Sequence, residues 1–216
     1  MNILARASRV LPLKPFKLVF SCDMNGNVAK TIYDNDGKPT TVVPWLGYKD
    51  IHTYTSEKTR STSEKSKSNG IIIGNNTFKS IGNNPLGGNR HTCVLSHNNL
   101  YSLLTNEGNL SEKLAVKPNL DTAIDFYNKK PDVENIIVCG GADVLSGVIN
   151  SEYFIDECNM VLIKENNDCD IGIYNFQEFH DLLENGTFIR EVVKDEEEYV
   201  VINYINRQSN RVRLFE

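Results

Sequence analysis

The chain has 216 residues, 40% of them hydrophobic and 24% charged, with a formal net charge of -5. That length suits one domain with a well-filled core, or a domain plus a tail, and the composition is ordinary for a globular protein. The acidic balance excludes a general nucleic-acid binder, which carries a basic face, and no apolar run approaches membrane-spanning length.

Residues 1–15 read as an N-terminal extension ahead of a domain over 16–206. The opening ten residues hold Arg6 and Arg9 and no acid, a faint organelle-presequence signal, but an ordered or frayed extension fits their short length better. Phe16 to Cys22 is a short apolar run, expected as a buried strand, closed by the turn signal Asp23-Met24-Asn25-Gly26-Asn27. Ala29 to Val43 is polar and rich in Asp, Asn and Gly. It reads equally as a mobile functional loop or as a surface hairpin.

Pro44-Trp45-Leu46-Gly47 leads into a helix in which Asp50, Ile51 and Tyr54 are expected to share one face, being three and four residues apart. A carboxylate in apolar and aromatic company is a candidate for anchoring and protonating a nitrogen heterocycle. The alternative is a first-turn acid favoured by the helix dipole. Ser56 to Gly70 is Ser/Lys-rich and reads as a solvated connection.

Ile71-Ile72-Ile73 is β-branched and continuous, as in a strand buried on both faces. Gly74 permits a sharp exit, and Asn75, Asn76 and Thr77 cap the next helix and offer free N–H groups. Asn84 to Gly88 is a turn before a strand from His91 to Leu95, closed by the polar Ser96, His97, Asn98 and Asn99. Asn119 to Lys129 fits a helix. Ile136 to Cys139 is a strand, followed by Gly140-Gly141 and a helix through Ile149. A strand, a glycine turn and a helix make a pyrophosphate cradle, although a bare double glycine also serves tight packing alone. After a strand over Asn159 to Lys164, Thr187 to Val193 and Tyr199 to Ile205 read as a closing antiparallel hairpin, with an acidic, solvated tip at Lys194 to Glu198. Residues 207–216 form a tail. The five cysteines, Cys22, Cys93, Cys139, Cys158 and Cys169, are scattered and odd in number, and none has zinc-ligand spacing. Reduced thiols, a cytoplasmic location and no metal site are therefore expected.

Alternating strand and helix signals followed by a strand pair define the fold class: α/β, a single domain with a mostly parallel central sheet flanked by helices and a C-terminal antiparallel hairpin. Pro44-Trp45 with Asp50 five residues beyond the Trp, Ile71 to Gly82, and Ile136 to Leu145 stand in an order and spacing that resembles the dihydrofolate reductase family. The resemblance implies NADPH-dependent reduction of dihydrofolate to tetrahydrofolate, within one-carbon metabolism and nucleotide biosynthesis. It implies a small-molecule partner, no nucleic acid, no membrane, and a monomer or weak homodimer.

By the same resemblance Asp50 is the catalytic acid and Trp45 positions a water beside it. Val19, Phe20, Ile51, Tyr54, Ile81, Leu86, Arg90 and Cys139 take the substrate. Ser21, Ala29, Asn75, Asn76, Thr77, Leu95, Ser96, His97, Gly140, Gly141, Ala142, Asp143 and Val144 take the cofactor. Four positions depart from the family pattern. Asn89 stands where an Arg usually grips the substrate's tail carboxylate, with Arg90 one place later. Ile163 replaces a Thr that supports the acid, Leu145 replaces a Tyr, and Asn75 replaces a basic phosphate ligand. A one-residue shift in a strand turns a side chain to the other face, so Arg90 is expected to reach the pocket through a local shift in the Gly87-Gly88 turn. Two further readings stand beside the first: a reductase of the same fold acting on another pteridine or a ribosylamino-pyrimidine, and a catalytically weakened binding relative.

Overall fold

The structure, a computed structural model, describes residues 12–63, 66–97, 112–165 and 167–209. Most of the N-terminal extension, part of the C-terminal tail, and Asn98 and Asn99 therefore lie outside the described residues.

Eight strands form one sheet: β1 (Phe16–Asp23), β4 (Ser68–Gly74), β5 (Arg90–Leu95), β6 (Leu114–Lys117), β7 (Val133–Gly140), β8 (Glu157–Ile163), β10 (Phe188–Asp195) and β11 (Tyr199–Asn206), in the order β10-β11-β8-β1-β7-β4-β5-β6. From β8 to β6 all pairs are parallel, while β11 runs antiparallel to both β8 and β10. The expected architecture is thus present, with the C-terminal hairpin at one edge. β4 and β8 are buried along their whole length, as continuous apolar strands covered on both faces should be.

The stretch from 29 to 43, left open between loop and hairpin, is a hairpin: β2 (Asn27–Tyr33) pairs with β3 (Pro39–Val42) and, on its other side, with β9 (Ile171–Gly172). Strands β6 and β9 and the helix α5 (Phe176–Leu182) have no counterpart among the sequence expectations.

Strand alternation sorts the side chains onto two faces. Phe16, Leu18, Phe20 and Cys22 of β1 join the core under α3 (Leu120–Asn128), α4 (Ala142–Ile149) and α5. Val19, with Ile71, Ile73, Val94 and Ile137, lies on the opposite face beneath α2 (Asn75–Ser80). Farther along that face, α1 (Lys49–Thr59) sets Ile51 among Trp45, Val161, Ile163, Tyr199 and Val201. Between α1 and α2 the sheet floor is β1 and β7, where Ser21 and Cys139 are only partly covered. This is the cleft.

One irregularity sits at the sheet edge. The β10–β11 register runs Val192↔Ile202 and then Lys194↔Val201, so β10 carries one extra residue, Val193, as a β-bulge.

Candidate active site

The best-defined wall of the cleft is the corner where β7 meets α4. Gly141 has φ +83 and ψ 126, a backbone that side-chain-bearing residues rarely adopt, and it caps α4. A Cβ there would stand 3.4 Å from Thr77 Oγ1 and 3.8 Å from Gly74 Cα. The two strand-to-helix corners, Gly74–Thr77 and Gly140–Gly141, therefore abut. Asn75 Oδ1 is buried there without a hydrogen-bond partner, an acceptor left for a ligand donor. A glycine cradle and an orphan acceptor fit a dinucleotide phosphate and its neighbouring hydroxyls. Ala142, Asp143 and Val144 open α4 beside this corner. Leu95 ends β5, with Ser96 bonded through its N–H to Lys117 O and His97 exposed. Ala29 is buried in β2 opposite Ile171, so it offers no free side-chain surface.

At the far end of the cleft, Arg90 is 8% exposed. Its Nε donates to Gly87 O at 2.6 Å and its Nη1 to Thr59 Oγ1 at 3.0 Å, which ties the start of β5 to the end of α1. Arg90 shares a strand face with Thr92 and Val94, and Val94 belongs to the cluster beneath α2. The displaced arginine does reach this side of the sheet, and Gly88, at φ +78, supplies the turn before it. Burial, and then the nearby Arg60, lower the Arg90 pKa. No carboxylate pairs with it among the described residues. Leu86 packs on the α2 side, its N–H bonded to Thr92 Oγ1 at 2.9 Å, and Ile81 is 40% exposed at the α2 C-cap.

The α1 wall corrects the sequence expectation. Asp50 does not line the cleft with Ile51 and Tyr54: its side chain is 64% exposed and its Oδ2 pairs with Lys194 Nζ at 2.5 Å, while Tyr199 OH donates to it at 3.3 Å. The hydrogen bond and charge of Lys194 hold the Asp50 carboxyl below the usual carboxylate range. Lys194 lies on β10, four strand spacings from the glycine corner of β7, or about 19 Å.

The physical reason is helical phase. α1 advances about 100° per residue, so Thr59, nine residues on, points about half a turn away from Asp50. Thr59 touches Arg90, hence Asp50 faces the other way. Ile51, the single strong aliphatic of the helix, is 5% exposed and sets that phase by entering the Trp45–Ile163 cluster instead of the cleft. Tyr54 is likewise turned toward β8 and β11. Its hydroxyl is bonded to Asn159 Oδ1 at 3.2 Å and Asn203 Oδ1 at 2.5 Å, and burial raises its pKa. Phe20 points to the opposite core, leaving only its backbone on the cleft side.

Trp45 is 2% exposed in a short 3-10 turn over Pro44–Gly47, and its Nε1 donates to Ser21 Oγ at 2.6 Å. That contact was not foreseen. Nor was Thr59, although the spacing of Ile51, Thr55 and Thr59 along one flank was available in the sequence. Cys139 is a thiol on the cleft floor whose pKa burial pushes up to about 12. No group of three or more metal-ligating side chains occurs among the described residues.

A family model described as dihydrofolate reductase matches residues 49–205. Among curated relatives, dihydrofolate reductase of Heliothis virescens is 29% identical over 142 residues, covering 64% of this chain and 73% of that protein. Bifunctional dihydrofolate reductase-thymidylate synthase 2 of Arabidopsis thaliana is 29% identical over 146 residues, again 64% of this chain, and the chain spans only 23% of its length. In fold the chain is similar to dihydrofolate reductase from Enterococcus faecalis complexed with NADP(H) and RAB-propyl: TM-score 0.60, 20% identity, 90% of this chain and 97% of that one covered.

Proposed function

The chain belongs to the dihydrofolate reductase family, and from that premise we propose that it reduces dihydrofolate to tetrahydrofolate with NADPH. The observation that carries the substrate is Arg90. A buried guanidinium without a carboxylate is unfavourable on its own, and here it is braced by Gly87 O and Thr59 Oγ1 on the cleft side of the sheet. A substrate with a carboxylate tail completes it, and a charge-assisted bond of this kind is worth about 1.5–3 kcal/mol.

At the other end the Gly140–Gly141 corner, Thr77 and the orphan Asn75 Oδ1 suit the NADPH phosphates and nearby hydroxyls. NADPH supplies the hydride when bound. Val19, Leu86 and Cys139 floor and flank the space between, excluding water from the reacting ring. Cys22, Cys93 and Cys158 are buried free thiols, which suits a reducing, cytoplasmic setting. No helix among the described residues is long and apolar enough to cross a membrane.

The test is NADPH oxidation by the whole chain with dihydrofolate and with a tail-less dihydropterin. Arg90→Ala should raise KM for dihydrofolate about tenfold to a hundredfold and leave the tail-less substrate unchanged. Equal KM values for both substrates, before and after the substitution, would refute the folate assignment.

A further inference from the structure

We propose that the outer edge of β10 is a self-association surface. On it two copies of this chain pair antiparallel, about a two-fold axis between Val192 and Val193. The inference goes beyond the reductase function and does not depend on it.

β10 ends the eight-stranded sheet, and among the described residues no strand lies on its outer side. Ile189, Val192 and Val193 are exposed along it. An open edge invites another strand, and charges on it usually discourage one. Here the charges match themselves. When Arg190-Glu191-Val192-Val193-Lys194-Asp195 is laid antiparallel on its own copy, Val192 meets Val193, Glu191 meets Lys194 and Arg190 meets Asp195.

That register needs the bulge. Residues opposed in an antiparallel ladder turn their backbone groups either both toward each other or both away. In a regular strand the direction alternates, so two identical strands oppose residues an even number apart in sequence. The two registers nearest this one would set Arg190 against Lys194, or Glu191 against Asp195, like charge on like. In β10 the alternation slips by one. Tyr199 O accepts from Glu196 N, so Tyr199 turns its backbone toward β10, and Val201 and Asn203 do the same along the regular β11. Their partners, Lys194 and Glu191, therefore face β11, while Asp195 and Arg190, opposite Val200 and Tyr204, present their backbone groups outward.

The side chains agree. Glu191 and Lys194 lie on the α1 face, the first beside Asn203 Nδ2 and the second bonded to Asp50. Arg190 and Asp195 lie on the other face, across from Tyr204 and Val200. Each opposite-charge pair thus falls on one face of the joined sheet, and two-fold symmetry makes it twice. Lys194, Arg190 and Asp195 already pair within the chain with Asp50, Glu184 and Lys164, yet each side chain stays at least 39% exposed. A second partner can reach all three. One strand's length of contact is smaller than a standard interface, so the dimer is weak.

The experiment is sedimentation equilibrium of the full chain from about 1 µM to about 1 mM. The mass should rise from one chain toward two. Arg190→Glu and Asp195→Arg each set like charges opposite one another at two places, and each should weaken association by about tenfold or more. The double exchange should restore it. That recovery can come only from across the two copies, because the exchange mends neither Arg190–Glu184 nor Lys164–Asp195 within the chain. If a single variant fails to fold, Val193→Lys, an exposed change at the axis, should abolish the dimer.

A mass of one chain up to about 1 mM, as covering of this edge by the chain's own residues after 209 would give, overturns the proposal. So does a dimer that these variants leave unchanged, or association that runs past two chains.

Discussion

The two walls of the cleft are built on different authority. At the β7–α4 corner the geometry is local: two adjacent glycines, one in a left-handed backbone, end a strand and start a helix within three residues. At α1 it is tertiary. The helix KDIHTYTSEKT has one aliphatic side chain, and whichever way Ile51 packs decides where Asp50 points. A turn of this kind is legible from spacing, because only a few backbones join the flanking elements. The rotation of a short, mostly polar helix is not, because its phase belongs to the surface it lands on.

That contrast can be broken at α1 first, where the expected effect is largest. Ile51→Ala removes the side chain that sets the phase, and a buried Ile to Ala costs about 2–5 kcal/mol. At about 2–4 °C per kcal/mol for a chain of this size, melting should fall by at least several degrees in calorimetry. An unchanged melting temperature would mean that the Trp45–Ile163 cluster does not anchor the helix. At the other wall, Gly141→Ala should cost about 1–3 kcal/mol through its backbone alone, with weaker NADPH binding measured by titration.

Next comes Glu157, on the α1 side. Burial pushes its carboxyl up, but Lys17, Asn159 and Lys58 outweigh that and leave it below the usual range. A depressed carboxyl stabilises the fold above its unfolded pKa, and that stability is lost as pH falls through the folded value. Glu157→Gln should flatten the acid limb of a stability-versus-pH curve and leave the slope above neutrality unchanged. The smallest effect is expected for Lys194→Met: its pair with Asp50 is exposed, so denaturant midpoints should not move measurably.

The sheet was legible because its strands are unambiguous: Ile71-Ile72-Ile73 and Met160 to Ile163 are buried on both faces and contain no competing helical period. The helix expected from Asn119 starts at Leu120, with Asn119 as its N-cap accepting from Thr122 N at 3.0 Å. What escaped lies where the local signal is thin. β9 is two residues long, β6 only four, and α5 is a short helix after Asn175, itself in a left-handed conformation. Asp50 escaped for a stronger reason: i, i+1 and i+4 sharing a side of a helix does not say which of them meets the sheet.

The bulge in β10 is part of why. Val200, Ile202 and Tyr204 of β11 face the α3–α5 core, whereas Val201 faces α1. Were Val193 paired in a regular ladder and not bulged, Lys194 would stand opposite Val200, on the wrong side of the sheet to meet Asp50. The direction in which an aspartate on the first helix looks is thus tied to a single inserted residue 143 positions later. A regular ladder at the sheet's margin, with Val193 paired and not bulged, would turn the lysine to the other face and release that carboxylate. The register of the closing hairpin thus governs whether that acid is paired, without any change in the acid itself.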